Sequence, residues 1–160
     1  MENLWRDWRM EYIESADKDD GCVFCELPTK EPEEALVLKQ TPLSFALMNL
    51  YPYNPGHVMV APKRHTASFE SLQAEEMVSI DALLQEVVRV LQEAMNPEGF
   101  NIGMNLGRVA GAGIADHLHW HVVPRWNGDN NFMPILGQTR VLPEMIRDTY
   151  RKLVTGFTEA

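Results

Sequence analysis

Apolar residues recur with a helical period along one long stretch of the chain and with a period of two along several short ones. The long stretch is 72–95, where apolar side chains return every three or four positions. This spacing predicts an amphipathic helix with one apolar stripe, which we assign to the core. Ser71 precedes the stretch as a candidate N-cap, and Pro97 with Gly99 ends it.

Short apolar or alternating stretches predict five strands, at 35–39, 44–49, 57–61, 100–106 and 117–124. The fourth alternates cleanly, which indicates a half-buried strand with a polar face. A Gly-rich loop at 107–115 follows it, and Pro143 begins a predicted C-terminal helix. Hairpin-like strands, one long helix and two more strands favour an α+β fold with an antiparallel sheet.

Composition narrows the class of protein. The chain has 160 residues, of which 45% are hydrophobic and 23% charged, so we expect one globular domain. The net charge of −9 disfavours nucleic acids and anionic membranes as partners, although a small anionic ligand fits a locally positive pocket. No run approaches the roughly 20 apolar residues of a membrane span, and 1–20 has no signal-peptide core. We therefore expect a cytoplasmic protein.

Three histidines at alternate positions are the strongest chemical signal. His117, His119 and His121 share one face of the predicted strand, about 6.6 Å apart along it, while the apolar residues between them point into a core. Packing alone explains this poorly, because each buried imidazole needs a hydrogen-bond partner. The row suits either a metal site or phosphate chemistry, in which a neutral imidazole attacks phosphorus.

The segment HLHWHVV resembles the signature His-φ-His-φ-His-φ-φ of the histidine triad (HIT) family, where φ is apolar. The segment 49–65 is similar to the family's strand, Pro-Gly-His turn and Pro-x-x-His, and the resemblance extends over 22–134. The flanks resemble a bacterial branch that includes diadenosine tetraphosphate phosphorylases. The resemblance implies a HIT-type sheet of about five strands with one long helix and a C-terminal helix, and a homodimer. We divide the chain into an arm (1–20), a HIT domain (21–135) and a helical extension (136–160).

The resemblance also implies roles for residues. His119 attacks the α-phosphorus of a dinucleoside polyphosphate, such as diadenosine tetraphosphate, and forms a covalent nucleotidyl-imidazole. His121 holds phosphate oxygens and His117 orients the site. Further contacts to an adenine nucleotide are expected from Asn49 at the ribose and from Asn105, Gly111, Ala112, Gly113, Arg125 and Trp126.

One departure from the family bears on the reaction. Many members carry Gly-Gln-Ser or Gly-Gln-Thr shortly before the histidines, where this chain has Ala112-Gly113-Ile114. Without those polar side chains, a phosphorylase with inorganic phosphate as acceptor is favoured over simple hydrolysis. The alternatives are a hydrolase of nucleoside phosphoramidates or dinucleoside polyphosphates, a zinc-stabilised nucleotide-binding protein with little turnover, and a metallohydrolase with all three histidines on one metal.

Cys22 and Cys25 form a Cys-x-x-Cys pair, whose spacing fits metal binding or redox chemistry better than a disulfide framework. Some bacterial HIT proteins combine such a pair with two histidines, and the matching positions here are His65 and His117. The resemblance thus implies a structural Zn²⁺ site with four protein ligands. We interpret His57 as a turn-adjacent residue and 63–64 as a solvated corner.

Overall fold

The computed structural model of the chain describes residues 21–129 and 144–158. Within these ranges, four α-helices, named α1 to α4 in chain order, span Val23–Glu26, Pro32–Ala35, Ala74–Met95 and Ile146–Thr158. Five strands, β1 to β5, span Val37–Gln40, Ser44–Met48, Val58–Pro62, Gly99–Met104 and Trp120–Arg125. The predicted arm 1–20 and the predicted start of the C-terminal helix at Pro143 lie outside the described residues, and the predicted domain boundaries stay a prediction.

The five strands form one antiparallel sheet in the order β1-β2-β3-β5-β4. This arrangement confirms the predicted α+β fold. The last strand is shorter than predicted, since β5 begins at Trp120 and not at His117. The neighbouring strand explains the difference, because β3 ends at Pro62, which has no N–H to extend the ladder. Leu118 instead donates its backbone N–H to the Thr66 carbonyl oxygen at 2.8 Å.

The two faces of the sheet carry separate apolar clusters. One face packs against α3 and α4, and its buried residues include Ala46, Val60 and Val122. The other face carries a smaller cluster formed by Phe24, Ala35, Val37, Phe45, Leu47 and Ala61. Since neighbouring residues of a strand point to opposite faces, His121 lies on the face of this smaller cluster. The same alternation continues upstream of β5, where Leu118 is buried in the larger cluster.

Helix α3 begins later than the sequence predicts. Its N-cap is Gln73, and a capping box links the Gln73 and Glu76 side chains and backbones, so the prediction of Ser71 as N-cap was wrong. Ser71 lies in a preceding 3-10 turn, where its hydroxyl donates to the Ser68 carbonyl oxygen. Arg64 also binds the Glu76 carboxylate with two nitrogens, at 2.9 and 2.7 Å. Arg64 is exposed, as expected for a solvated corner, but its guanidinium also pairs with a buried carboxylate, which the sequence did not indicate.

Helix α4 closes the larger cluster, where Tyr150, Leu153 and Phe157 are buried. The Tyr150 hydroxyl donates to the Val37 carbonyl oxygen at 3.2 Å, which ties this helix to the edge strand β1. At the other edge, β4 ends at Met104 and Ile102 is 51% exposed, so this strand is shorter and less buried than predicted. Among the described residues, no helix is both long and apolar enough to span a membrane.

Candidate active site and metal centre

His119 is held as a neutral imidazole with one defined tautomer. Its Nδ1–H donates to the carbonyl oxygen of His117 at 2.9 Å, which leaves the lone pair on Nε2. The side chain is only 5% exposed, and this burial lowers the pKa of His119. The ring nevertheless lines a surface cavity. A neutral ring with an Nε2 lone pair beside a cavity has the form that a nucleophile requires.

The tautomer of His121 is set by a hydrogen bond from a fourth histidine, His57. The backbone N–H of Tyr53 donates to His57 Nδ1 at 3.1 Å, so the His57 proton lies on Nε2. His57 Nε2 in turn donates to His121 Nδ1 at 3.0 Å. His121 therefore carries its own proton on Nε2, as a donor suited to an anionic oxygen.

This role of His57 was not predicted from the sequence, since His57 is fully buried and not merely adjacent to a turn. The signal was the period of two, which places His57 on the same face as Met59. Met59 lies directly opposite His121 in the sheet. The pairing of β3 with β5 was needed to use that signal.

The cavity combines apolar rings with a few polar groups. It is lined by Phe24, Asn49, Tyr51, Tyr53, Met59, Gly111, Gly113, Ile114, His119 and His121. The structure thus brings five of the sequence-predicted site residues together at one cavity. Asn49 accepts the Tyr51 N–H with Oδ1 at 2.9 Å and lies 3.3 Å from His57 Nδ1 through Nδ2.

The other predicted substrate contacts lie outside the lining of this cavity. Asn105 donates from Nδ2 to the Gly111 carbonyl oxygen at 3.3 Å and so braces the Gly-rich loop, in which Ala112 is buried. Arg125 donates to the carboxylate of Asp129 and to Asn101 Oδ1 at 2.7 Å.

The Arg125 guanidinium holds the pKa of the Asp129 carboxyl well below its usual range. Trp126 is half-buried, and its backbone N–H donates to the same carboxylate at 3.3 Å. The substrate roles of Asn105, Ala112, Arg125 and Trp126 stay predictions.

The four predicted metal ligands meet at one point. Cys22 Sγ lies 3.3 Å and Cys25 Sγ 3.6 Å from His117 Nδ1, and Cys25 Sγ lies 3.4 Å from His65 Nδ1. All four ligand atoms lie within 4.8 Å of one another. A tetrahedral Zn²⁺ with bonds of about 2.0–2.3 Å spaces its ligands by about 3.3–3.8 Å, so this donor set fits zinc.

The tautomer of His117 also fits a role as a zinc ligand. Its Nε2–H donates to the Pro62 carbonyl oxygen at 2.9 Å, which leaves the Nδ1 lone pair directed at the two sulfurs. Burial lowers the pKa of His117 and favours the neutral ring that a metal requires. His119 points its Nδ1 at a carbonyl oxygen instead. The triad is therefore divided between two sites, which disfavours a metallohydrolase with three histidines on one metal.

Phe24 lies between these two sites. It lies with Val23 between Cys22 and Cys25 in the chain, and it is only 1% exposed. The ring centroid lies 5.3 Å from that of His117 and 4.8 Å from that of His119. One aromatic side chain therefore contacts both the candidate metal-ligand histidine and the candidate nucleophile.

Comparisons with known proteins agree with this geometry. The HIT domain matches residues 30–128. Over 163 residues the chain is 43% identical to the AP-4-A phosphorylase of Mycobacterium tuberculosis, covering 97% of this chain and 84% of that one. It is 34% identical over 107 residues to the adenosine 5'-monophosphoramidase hnt1 of Schizosaccharomyces pombe, covering 67% and 76%.

A solved structure, that of a Zn-bound histidine triad family protein from Mycobacterium smegmatis, is similar with a TM-score of 0.69 and 27% identity, covering 87% of this chain and 94% of that one. The likeness to a relative called a phosphorylase confirms the resemblance to the bacterial branch. The chain belongs to the histidine triad (HIT) family.

Proposed function

We propose that this HIT-family enzyme cleaves dinucleoside polyphosphates, such as diadenosine tetraphosphate, at the α-phosphorus through a nucleotidyl group carried on His119. The observation that carries the proposal is the fixed tautomer of His119, a buried neutral ring with its lone pair on Nε2 at the cavity. A relative 43% identical over nearly the whole chain is an AP-4-A phosphorylase, which supports this substrate class.

The reaction has two steps. His119 Nε2 forms a bond to the α-phosphorus, and the bond from that phosphorus to the bridging oxygen breaks, so that diadenosine tetraphosphate releases ATP. The Nε2–H of His121, set by His57, donates to phosphate oxygens as charge develops. An oxygen of inorganic phosphate then attacks the same phosphorus, which releases ADP and restores the His119 ring.

We propose inorganic phosphate, and not water, as the acceptor of the nucleotidyl group. Ile114 lines the cavity where many family members place a polar side chain, and this apolar wall supports phosphate rather than water as the acceptor. The 34% identity to a monophosphoramidase favours a second candidate, hydrolysis of nucleoside phosphoramidates through the same His119 adduct.

Product analysis and adduct trapping test the proposal together. With phosphate present, diadenosine tetraphosphate should give ADP and ATP, whereas hydrolysis gives AMP and ATP. Without phosphate, mass spectrometry should locate an adenylyl group on His119. His119→Ala should abolish both turnover and the adduct while nucleotide binding persists. Full turnover in this variant, or an adduct on another residue, would refute the mechanism.

The Cys/His cluster supports a structural zinc ion, and the ligand fit described above is its basis. Four protein ligands leave no open position on a tetrahedral ion, so the metal would hold the 22–25 segment on the sheet and not take part in bond breaking. Metal analysis tests this: Cys22→Ser should lose the zinc, while His57→Gln, which changes a histidine outside the cluster, should keep it.

We also propose a homodimer in the cytoplasm. Among the described strands, β4 has a partner on one side only. Its Ile102 is 51% exposed, and Leu106 and Val109, in the loop that follows the strand, are 49% and fully exposed. An open edge strand with apolar residues is a pairing surface that monomeric proteins usually avoid. A second copy of the chain is the occupant we favour.

A further inference from the structure

The short helix α1 is held by its two cysteine sulfurs and its one buried side chain. It contains only four residues, and its N-cap, Cys22, makes no side-chain capping hydrogen bond. A helix of one turn is not stable by itself in water. Its position therefore depends on the Cys22 and Cys25 sulfurs at the cluster and on the burial of Phe24 between them.

The Phe24 side chain packs directly against the His119 ring. Its ring packs on that of His119 at 4.8 Å with an interplanar angle of 32°, whereas His121 meets the His119 ring edge-on at 5.0 Å. Phe24 also packs near Phe45 within the smaller apolar cluster, with the two ring centroids 6.4 Å apart. A displacement of α1 would move Phe24 and so change the surface that orients His119.

We propose that Phe24 is a positioning residue that couples the Cys22/Cys25/His65/His117 cluster to His119, so that metal loading of the cluster sets the orientation of the nucleophile. The inference rests on the proposed roles of His119 and of zinc. The cluster would then orient His119 as well as stabilise the fold, because the sulfurs and the Phe24 ring belong to the same helical turn.

The first test uses the full chain without nucleotide, compared with zinc bound and after removal of zinc by a chelator. Long-range ¹H–¹⁵N spectra report which ring nitrogen of each histidine carries the proton. Zinc-bound protein should show one tautomer of His119, protonated on Nδ1, and the metal-free protein a mixture. The α3 amide signals should stay unchanged, which shows that the fold persists. A single, unchanged His119 tautomer in both states would overturn the proposal.

The second test keeps the metal in place and changes the coupling residue. Phe24→Leu has a matched control in Phe45→Leu, because both side chains are buried in the same cluster and only Phe24 contacts His119. Zinc-loaded Phe24→Leu should retain its metal, show mixed His119 tautomers and lose about tenfold in kcat with KM nearly unchanged. Phe45→Leu should keep the single tautomer and the wild-type kcat.

Equal effects of the two substitutions would overturn the proposal, because they would indicate a general loss of packing. If zinc removal unfolds the chain, the comparison of these two zinc-loaded variants decides the matter. The spectra need no substrate, so a failure of the adduct experiment and a failure of this coupling are separate results.

Discussion

In each imidazole of the site, a hydrogen bond to a neighbouring carbonyl oxygen or N–H determines which ring nitrogen carries the proton. The His117 carbonyl sets the His119 ring, and the Tyr53 N–H sets His57, which sets His121. These bonds give the cavity an Nε2 lone pair and an Nε2–H side by side. Attack on phosphorus and stabilisation of its oxygens need this pair of opposite roles.

His57→Leu should remove the N–H that sets the tautomer of His121, since a leucine side chain has no hydrogen-bond donor. We expect kcat to fall about 10- to 100-fold with KM changed little, because a residue that orients a site group typically carries an effect of this size. Ring ¹⁵N spectra should then show both tautomers of His121. Metal content and the thermal unfolding midpoint are the controls for folding. A single His121 tautomer with wild-type kcat would contradict the prediction.

The triad was predictable because its alternation lies within five consecutive residues, and Asn49 and the Gly-rich loop followed from the family resemblance. His57 and Phe24 were not predicted, because each acts through a residue distant in sequence. His57 reaches His121 across the pairing of β3 and β5. Phe24 reaches His119 from a one-turn helix whose place on the sheet no local pattern indicates.

At the scale of elements, the periodic patterns predicted which helices and strands exist better than where they end. The start of α3 depends on the Gln73–Glu76 capping box, and the start of β5 depends on Pro62 of a neighbouring strand. Ser71 was a reasonable cap by residue type. The side chain of Glu76, paired with Arg64, instead fixed the beginning of the helix two residues later.

Glu76→Gln should weaken the anchoring of α3 in a pH-dependent way. Arg64 and the Gln73 N–H lower the pKa of Glu76 from 4.5 to about 2, so its carboxylate stabilises the fold above pH 4.5. This contribution, about 3 kcal/mol, is lost as the pH falls towards 2. The difference in unfolding free energy between wild type and variant should therefore shrink between pH 5 and pH 2.

Glu75→Gln is the matched control for this effect, since Glu75 is an exposed neighbour in the same first turn. Its substitution should change the unfolding free energy by less than about 0.5 kcal/mol at every pH. Release of the proposed zinc ion in acid would affect all three proteins alike and would cancel in the difference. An equal effect of the two substitutions would show that Arg64 adds nothing beyond the helix dipole.

At the scale of the whole molecule, the two edges of the sheet differ. Edge strand β1 is tied to α4 by Tyr150 and to the 27–29 turn by Gln40, which donates to the Pro28 carbonyl oxygen. Edge strand β4 has no such cover among the described residues and carries Ile102 half-exposed. Charged residues usually protect an open edge from pairing, and here an apolar residue takes that place.

Ile102→Lys should therefore convert a dimer into a monomer, because it places a charge at an edge that would be buried between two copies. Sedimentation velocity should show the halved mass at micromolar concentration. Val78→Lys is the matched control, since Val78 is 69% exposed on α3, away from this edge, and its substitution should leave the mass unchanged. A wild-type chain that sediments as a monomer would refute the dimer. Equal masses for Ile102→Lys and wild-type dimer would place the interface elsewhere.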